Sequence, residues 1–173
     1  MKVIFLDIDG VLNCRWCKNF IDGYHFVMDK KILLLKQLVD RTGAKIVLSS
    51  TWRYGWVYMD AYTSENDAFQ QREIRHFIAL REKLREFGLE IFSRTPVSEL
   101  DFRGAEIDQW LQEWEGEPIE SFVIIDDMDG RYLRPHSNRF VQTSLQKGLM
   151  QNHVNLAVKI LEKPYIENNV TVC

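Results

Sequence analysis

Apolar positions along this chain fall into two alternating kinds of run. Short, nearly unbroken runs read as strands buried on both faces, and longer runs with a period near 3.6 read as amphipathic helices. Lys2 to Ile8 is the first short run. Asp29 is placed to cap a helix in which Ile32, Leu35, Leu38 and Val39 share a face, and Gly43 stops it. AKIVLSS is a second strand. Thr51 to Phe69 has no period and reads as irregular, merging into a helix over Gln71 to Phe87. Ile74, Phe77, Ile78 and Leu84 turn inward there, and Gly88 ends it. LEIFSRTP is a third strand, and Ile107, Trp110, Leu111 and Trp114 recur at helical spacing from Ala105 to Trp114. SFVIID is a fourth strand, RFVQT a fifth, and a helix over Leu149 to Leu161 follows. Repeated strand–helix–strand units imply right-handed crossovers and a three-layer, doubly wound parallel sheet of the α/β, Rossmann-like kind. No repeat, linker or low-complexity stretch interrupts the pattern, and 173 residues suit a single domain, 1–173.

Composition narrows the picture. Hydrophobic residues make up 46% of the chain, enough for a real core. The net charge of -3, from 22 basic and 25 acidic residues, exerts no global pull toward nucleic acid or anionic membrane. No apolar run approaches the roughly 20 residues of a membrane span, so no membrane partner is expected. The start MKVIFLDIDG places acids inside its apolar stretch and does not read as a secretory signal. Three cysteines make no disulfide framework, and a reducing, cytoplasmic setting is the default.

One short stretch does not fit a plain buried strand. FLDIDGVLN delivers Asp7 and Asp9 out of an apolar run, and an ionised carboxylate is costly to bury unless paired. In an open parallel sheet, ligands bind outside the carboxyl ends of the strands. Asp7 falls at the end of the first strand and Asp9 just beyond it. The second strand ends in Ser49 and Ser50, and the fourth in Asp126 and Asp127. One sheet edge therefore collects four carboxylates and two hydroxyls. Like charges side by side need a cation, and oxygen ligands without His or Cys suit a hard ion such as Mg²⁺. Arg103 precedes the helix leading into the fourth strand and can aim a fixed positive charge at that edge, where a phosphate would sit.

In this order the motifs resemble the haloacid dehalogenase (HAD) superfamily of phosphatases, of the small type without a large cap. FLDIDGVLN looks like its first motif, KIVLSS its second, Arg103 its third and FVIIDDMD its fourth, across about residues 2 to 130. LSSTWR, RGAEIDQWL, VIIDD and GL together further resemble a small HAD branch grouped with RNA-repair proteins. The resemblance implies an Mg²⁺-dependent phosphomonoester hydrolase. Asp7 would be the nucleophile that becomes an aspartyl phosphate, and Asp9 the general acid and then base. Asp9 would also touch the metal through its backbone carbonyl. Ser49, or Ser50 in its place, would donate to a phosphoryl oxygen. Arg103 would offset the phosphoryl charge, and Asp126 and Asp127 would complete the metal site with Asp7. Asp129 reads equally as an outer-shell group or as a turn residue before Gly130.

Segments 13–28 and 93–103 are too short for a cap domain. An open site suits a large substrate such as a nucleic-acid end, a nucleotide or a phosphoprotein. Aromatic and basic residues follow motif one (Arg15, Trp16, Lys18, Phe20) and motif two (Trp52, Arg53, Tyr54, Trp56, Tyr58). Interleaved in this way they can stack bases and hold phosphates, with Arg53 and Trp52 the expected substrate contacts; packing of the tryptophans on the sheet is the alternative. Rival readings are a small-metabolite phosphatase, a metal-dependent nuclease and an idle binding module. Cys14 and Cys17 form C-x-x-C without a second half, Asn169-Val170-Thr171 matches a glycosylation acceptor that matters only after secretion, and the four histidines share no ligand spacing.

Overall fold

The computed structural model describes residues 1–61, 67–98 and 102–165; Cys173 and the Asn169-Val170-Thr171 triplet lie outside them. Five parallel strands form the main sheet: β1 (Lys2–Leu6), β4 (Lys45–Leu48), β5 (Ile91–Arg94), β6 (Ser121–Asp126) and β7 (Phe140–Gln142), in the order β5-β4-β1-β6-β7. β1 lies at the centre, in register with β4 (Leu6 opposite Leu48) and β6 (Leu6 opposite Ile125). A two-stranded antiparallel hairpin, β2 (Phe20–Ile21) and β3 (Tyr24–His25), stands apart from the sheet.

Alternation along the strands divides the core in two. Ile4 and Leu6, Ile46 and Leu48, and Val123 and Ile125 pack with buried residues of α1 (Asp29–Thr42), α3 (Ala68–Glu86) and α5 (Gln151–Leu161). Val3, Phe5, Val47, Phe122 and Ile124 face the other way, onto Ile107 and Trp110 of α4 (Arg103–Glu113) and Leu133. Phe5 meets Trp110 and Phe122 edge to face, with ring centroids 5.3 and 5.6 Å away. The α/β three-layer expectation therefore holds, and within the described residues no cap domain stands over the sheet.

Several local expectations shift. β1 stops at Leu6, although the Asp7 N–H still bonds to the Ile125 carbonyl at 3.0 Å and extends the ladder by one residue. Asp29 lies inside the first turn of α1; Met28 holds the cap position, and Asp29 pairs with Lys83 of α3 at 3.1 Å. α3 begins earlier than its periodicity indicated because the Asp67 side chain caps it, accepting from the N–H groups of Phe69 and Gln70. Its buried face is His76, Phe77, Leu80 and Leu84, while Ile74 and Ile78 are half-buried. Tyr54–Asp60, expected to be irregular, is a short helix, α2, running on from a 3₁₀ turn at Thr51–Arg53. Gly43 takes φ +67 and closes α1 by donating its N–H to the Val39 carbonyl, as its position in the sequence indicates.

Candidate active site

Strand alternation continues past the strand ends. Asp7 follows Val3 and Phe5, Ser49 follows Val47, and Asp126 follows Phe122 and Ile124, so all three lie on the face covered by α4. Arg103 is the first residue of α4 and reaches into that corner. Its guanidinium lies 3.6 Å from Asp7 Oδ1, 3.8 Å from Asp126 Oδ2 and 3.5 Å from the Ser49 hydroxyl. These are ion-pair and long hydrogen-bond distances. The fork is shared among three partners and gripped tightly by none.

Carboxylate oxygens of Asp7, Asp126 and Asp127 lie within 4.8 Å of one another. Asp7 is 7% and Asp126 2% exposed. Asp126 Oδ1 accepts the Met128 N–H at 2.9 Å, whereas Oδ2 is buried without a hydrogen-bond partner. Burial, and then the neighbouring Asp126 charge, hold the Asp7 carboxyl well above the ordinary carboxylate range; Arg103 and Ser50 only partly oppose them. Burial likewise raises Asp126, and burial followed by the Asp9 charge raises Asp127. Three crowded carboxyls that resist ionisation, one with an orphaned buried oxygen, fit a hard divalent cation such as Mg²⁺, whose charge removes that resistance.

Asp9 is held separately. Gly10, at φ +66, turns the chain so that a Cβ there would overlap the Asp127 carboxylate; only glycine serves. Beyond this turn Asp9 is exposed, and its carboxylate accepts the Asn13 side-chain amide at 2.7 Å and the Trp52 indole N–H at 3.0 Å. Asn13 also accepts the Gly10 N–H through Oδ1 at 2.9 Å, and Thr143 donates its hydroxyl to the Gly10 carbonyl at 2.7 Å. The loop is braced from behind by the buried Lys31, whose ammonium donates to the carbonyls of Lys147 (2.5 Å) and Leu149 (2.6 Å). Leu149 in turn donates its N–H to Val11, and a Cβ on Gly148 would press on the carbonyls of Asn13 and Val11. Asn13, Lys31 and Thr143 were not singled out from sequence. Only Asn13, four residues after Asp9 on a turning chain, offered a signal.

The two expected substrate contacts are both buried. Trp52 is 6% exposed, its ring packed against Phe26 and His76 rather than free for a base to stack on, and its N–H orients Asp9. Arg53 is 1% exposed, paired at 2.5 Å with Glu106 and donating to the Ser50 carbonyl at 2.8 Å. Solvent-borne phosphate cannot reach it. Both residues belong to the 3₁₀ turn that folds back onto the sheet directly after β4, which draws them inward. Ser50 is fully buried, its hydroxyl oxygen accepting the Trp52 N–H at 3.5 Å and its nearness to Asp7 opposing the rise of that carboxyl's pKa, while Ser49 faces Arg103. Asp129 is a turn residue, accepting the Arg131 N–H and pairing with its guanidinium. Cys14 and Cys17 are buried and free, with the Cys17 thiol donating to the Phe26 carbonyl.

The family model for the HAD domain in Swiss Army Knife RNA repair proteins matches residues 3–154. No curated protein and no solved structure gives a match. No described helix is long and apolar enough to cross a membrane.

Proposed function

The chain belongs to the family of HAD domains in Swiss Army Knife RNA repair proteins, a membership that implies phosphoryl-transfer hydrolysis in general, and from that premise we propose that it is an Mg²⁺-dependent phosphomonoester hydrolase working through an aspartyl phosphate. The observation that carries this reading is the convergence of Asp7, Asp126, Asp127 and Arg103 on one sheet edge, with Asp126 Oδ2 buried and unsatisfied.

Asp7, Asp126 and Asp127 would hold the ion. When bound, it neutralises the carboxylates and the phosphoryl oxygens. Arg103 and the Ser49 hydroxyl bind and orient the phosphoryl group, with Ser50 fixing the Asp7 carboxylate. An Asp7 oxygen attacks phosphorus, and the bond from phosphorus to the leaving oxygen breaks. Asp9, aimed by Trp52 and Asn13, gives its proton to that oxygen. Asp9 then takes a proton from water as the water attacks the aspartyl phosphate, releasing phosphate and restoring Asp7. The family's RNA-repair description supports a phosphorylated nucleic-acid end as the substrate, in preference to a phosphoprotein or small metabolite.

The test is turnover of a phosphomonoester and of an internal phosphodiester, with Mg²⁺ and with chelator. Release of phosphate from the monoester alone, dependent on Mg²⁺ and abolished in Asp7→Asn, is the expected result. Full activity in chelator or in Asp7→Asn removes the mechanism, and cleavage of the diester makes the protein a nuclease.

A further inference from the structure

A cavity of about 330 Å³ opens beside Asp9. It meets the site at Asp9 and its two donors, Asn13 and Trp52; Asp7, Arg103, Asp126 and Asp127 do not line it. Asp9 is the group that protonates the leaving oxygen in the mechanism above, so an occupant of this cavity is the leaving group. Rings line it: Tyr24 and His25 of the hairpin, with Trp52 and His76. His76 lies tilted on the Trp52 indole with centroids 5.5 Å apart, and Tyr24 meets His76 edge-on at the same separation.

Polar groups on the wall complete a recognisable chemistry. Asp9 and Glu73 are its carboxylates, and no lysine or arginine lines it among the described residues. Such a wall disfavours a second phosphate or other anion. Ring walls and acceptor carboxylates match a neutral ring system that carries N–H donors.

The hairpin is fixed rather than loose. Arg75 pairs with Asp22 at its tip at 2.9 Å, and Arg72 donates to the Tyr24 hydroxyl at 3.1 Å while lying over the Tyr24 ring. The cavity is thus preformed between the hairpin and α3. At its rim stands Leu145, whose carbonyl accepts the Arg15 N–H at 2.7 Å. This places the Arg15–Trp16 loop next to the opening, with Trp16 73% exposed and Arg15 and Lys18 also at the surface.

We propose that the cavity between the hairpin and α3 receives the terminal nucleoside of a single-stranded nucleic acid bearing an end phosphate. Its base lies against Tyr24 and His25, and the following nucleotide passes Leu145 to stack on Trp16 beside Arg15 and Lys18. The proposal rests on the phosphatase reading for the identity of the leaving group, while binding tests it separately.

The experiment compares oligonucleotides phosphorylated at either end, matched oligonucleotides with an abasic terminal residue, a phosphotyrosine peptide and 4-nitrophenyl phosphate. The base-ended substrate should exceed the abasic one in kcat/KM by about tenfold or more at the preferred end. Tyr24→Ala should erase that preference, bringing kcat/KM for the base-ended substrate down to that for the abasic one. Trp16→Ala should weaken the oligonucleotide and spare a mononucleotide. Fluorescence titration with the unphosphorylated oligonucleotide should show the same preference for a terminal base without any chemistry. Equal use and equal binding of base-ended and abasic substrates overturn the proposal, as does a preference for the phosphopeptide. Absence of 4-nitrophenyl phosphate turnover alongside base-dependent binding would instead sink the phosphatase reading and keep the pocket.

Discussion

Asp9 and Asp126 are both aspartates on one sheet edge, yet their surroundings assign them opposite problems. Asp9 is exposed and aimed by two neutral donors, Asn13 and Trp52. Trp52→Phe keeps a ring, though a smaller one, in the core and deletes the indole N–H. It should lower kcat by about tenfold, or about 1.4 kcal/mol of barrier, for an alkyl phosphate that needs its leaving oxygen protonated, and much less for 4-nitrophenyl phosphate. Equal losses on both would return Trp52 to a packing role. Asp126 is buried, and burial raises its pKa above the ordinary 3.8. With a raised folded-state pKa, folding is favoured by the protonated form, so ionised Asp126 costs stability above its folded pKa and the cost fades as pH falls toward 3.8. Asp126→Asn should therefore be inactive yet melt higher than the parent at neutral pH in chelator, with the gain shrinking in acid; thermal melts across pH check this. Asp7 and Asp126 were legible because charged residues at strand ends are conspicuous, Asp9 because it follows two residues on, and Arg103 because it opens the helix leading into the fourth strand. The burial of Trp52 and Arg53 was not, because adjacency to a motif does not say which way a side chain turns once a 3₁₀ turn intervenes.

Among elements, α4 matters most to the site because it begins with Arg103. One turn later Glu106 is buried and paired with Arg53, tying the turn after β4 to the helix that presents the guanidinium. Glu106 also accepts the Ser98 N–H at 3.3 Å. Removing one partner of a buried pair costs about 3–5 kcal/mol, while replacing both with apolar groups is often close to neutral. Glu106→Leu should accordingly melt far below the parent, and Arg53→Met with Glu106→Leu should recover most of the loss. If the pair also sets the place of α4, the double variant should fold yet show a raised KM, its phosphate grip loosened at Arg103. An unchanged KM in that variant would leave the pair a purely structural tie. Glu106 was not singled out from sequence; helical period gives the face but not the partner across it. α2 went unread for a related reason, since seven residues are too few for a period to declare itself.

At the scale of the whole molecule, the parallel sheet and its three layers were readable from alternation, because a parallel sheet buried on both faces leaves its strands as unbroken apolar runs; the order of the strands was not. That same architecture gathers the carboxylates of β1 and β6 at one edge, which makes folding without an ion costly. The apo chain must hold Asp7, Asp126 and Asp127 together, each with its carboxyl raised by burial. Anything that binds the folded state alone stabilises it by RT ln(1 + [L]/Kd), about 2.7 kcal/mol at a hundredfold excess over Kd. For a chain of this size that is a shift of roughly 5–10 °C in Tm. Mg²⁺ titrated into chelator-treated protein should raise Tm over this range, climbing with the logarithm of its concentration once past Kd. Ca²⁺, larger and less demanding in geometry, should also raise Tm, since the three carboxylates supply oxygen ligands to either ion. Asp126→Asn should start higher and gain little from either ion, because the variant lacks both the charge conflict and the orphaned oxygen that the ion relieves. A parent whose Tm ignores Mg²⁺, or an Asp126→Asn variant that gains as much as the parent, would show that the carboxylate cluster is not where the ion binds.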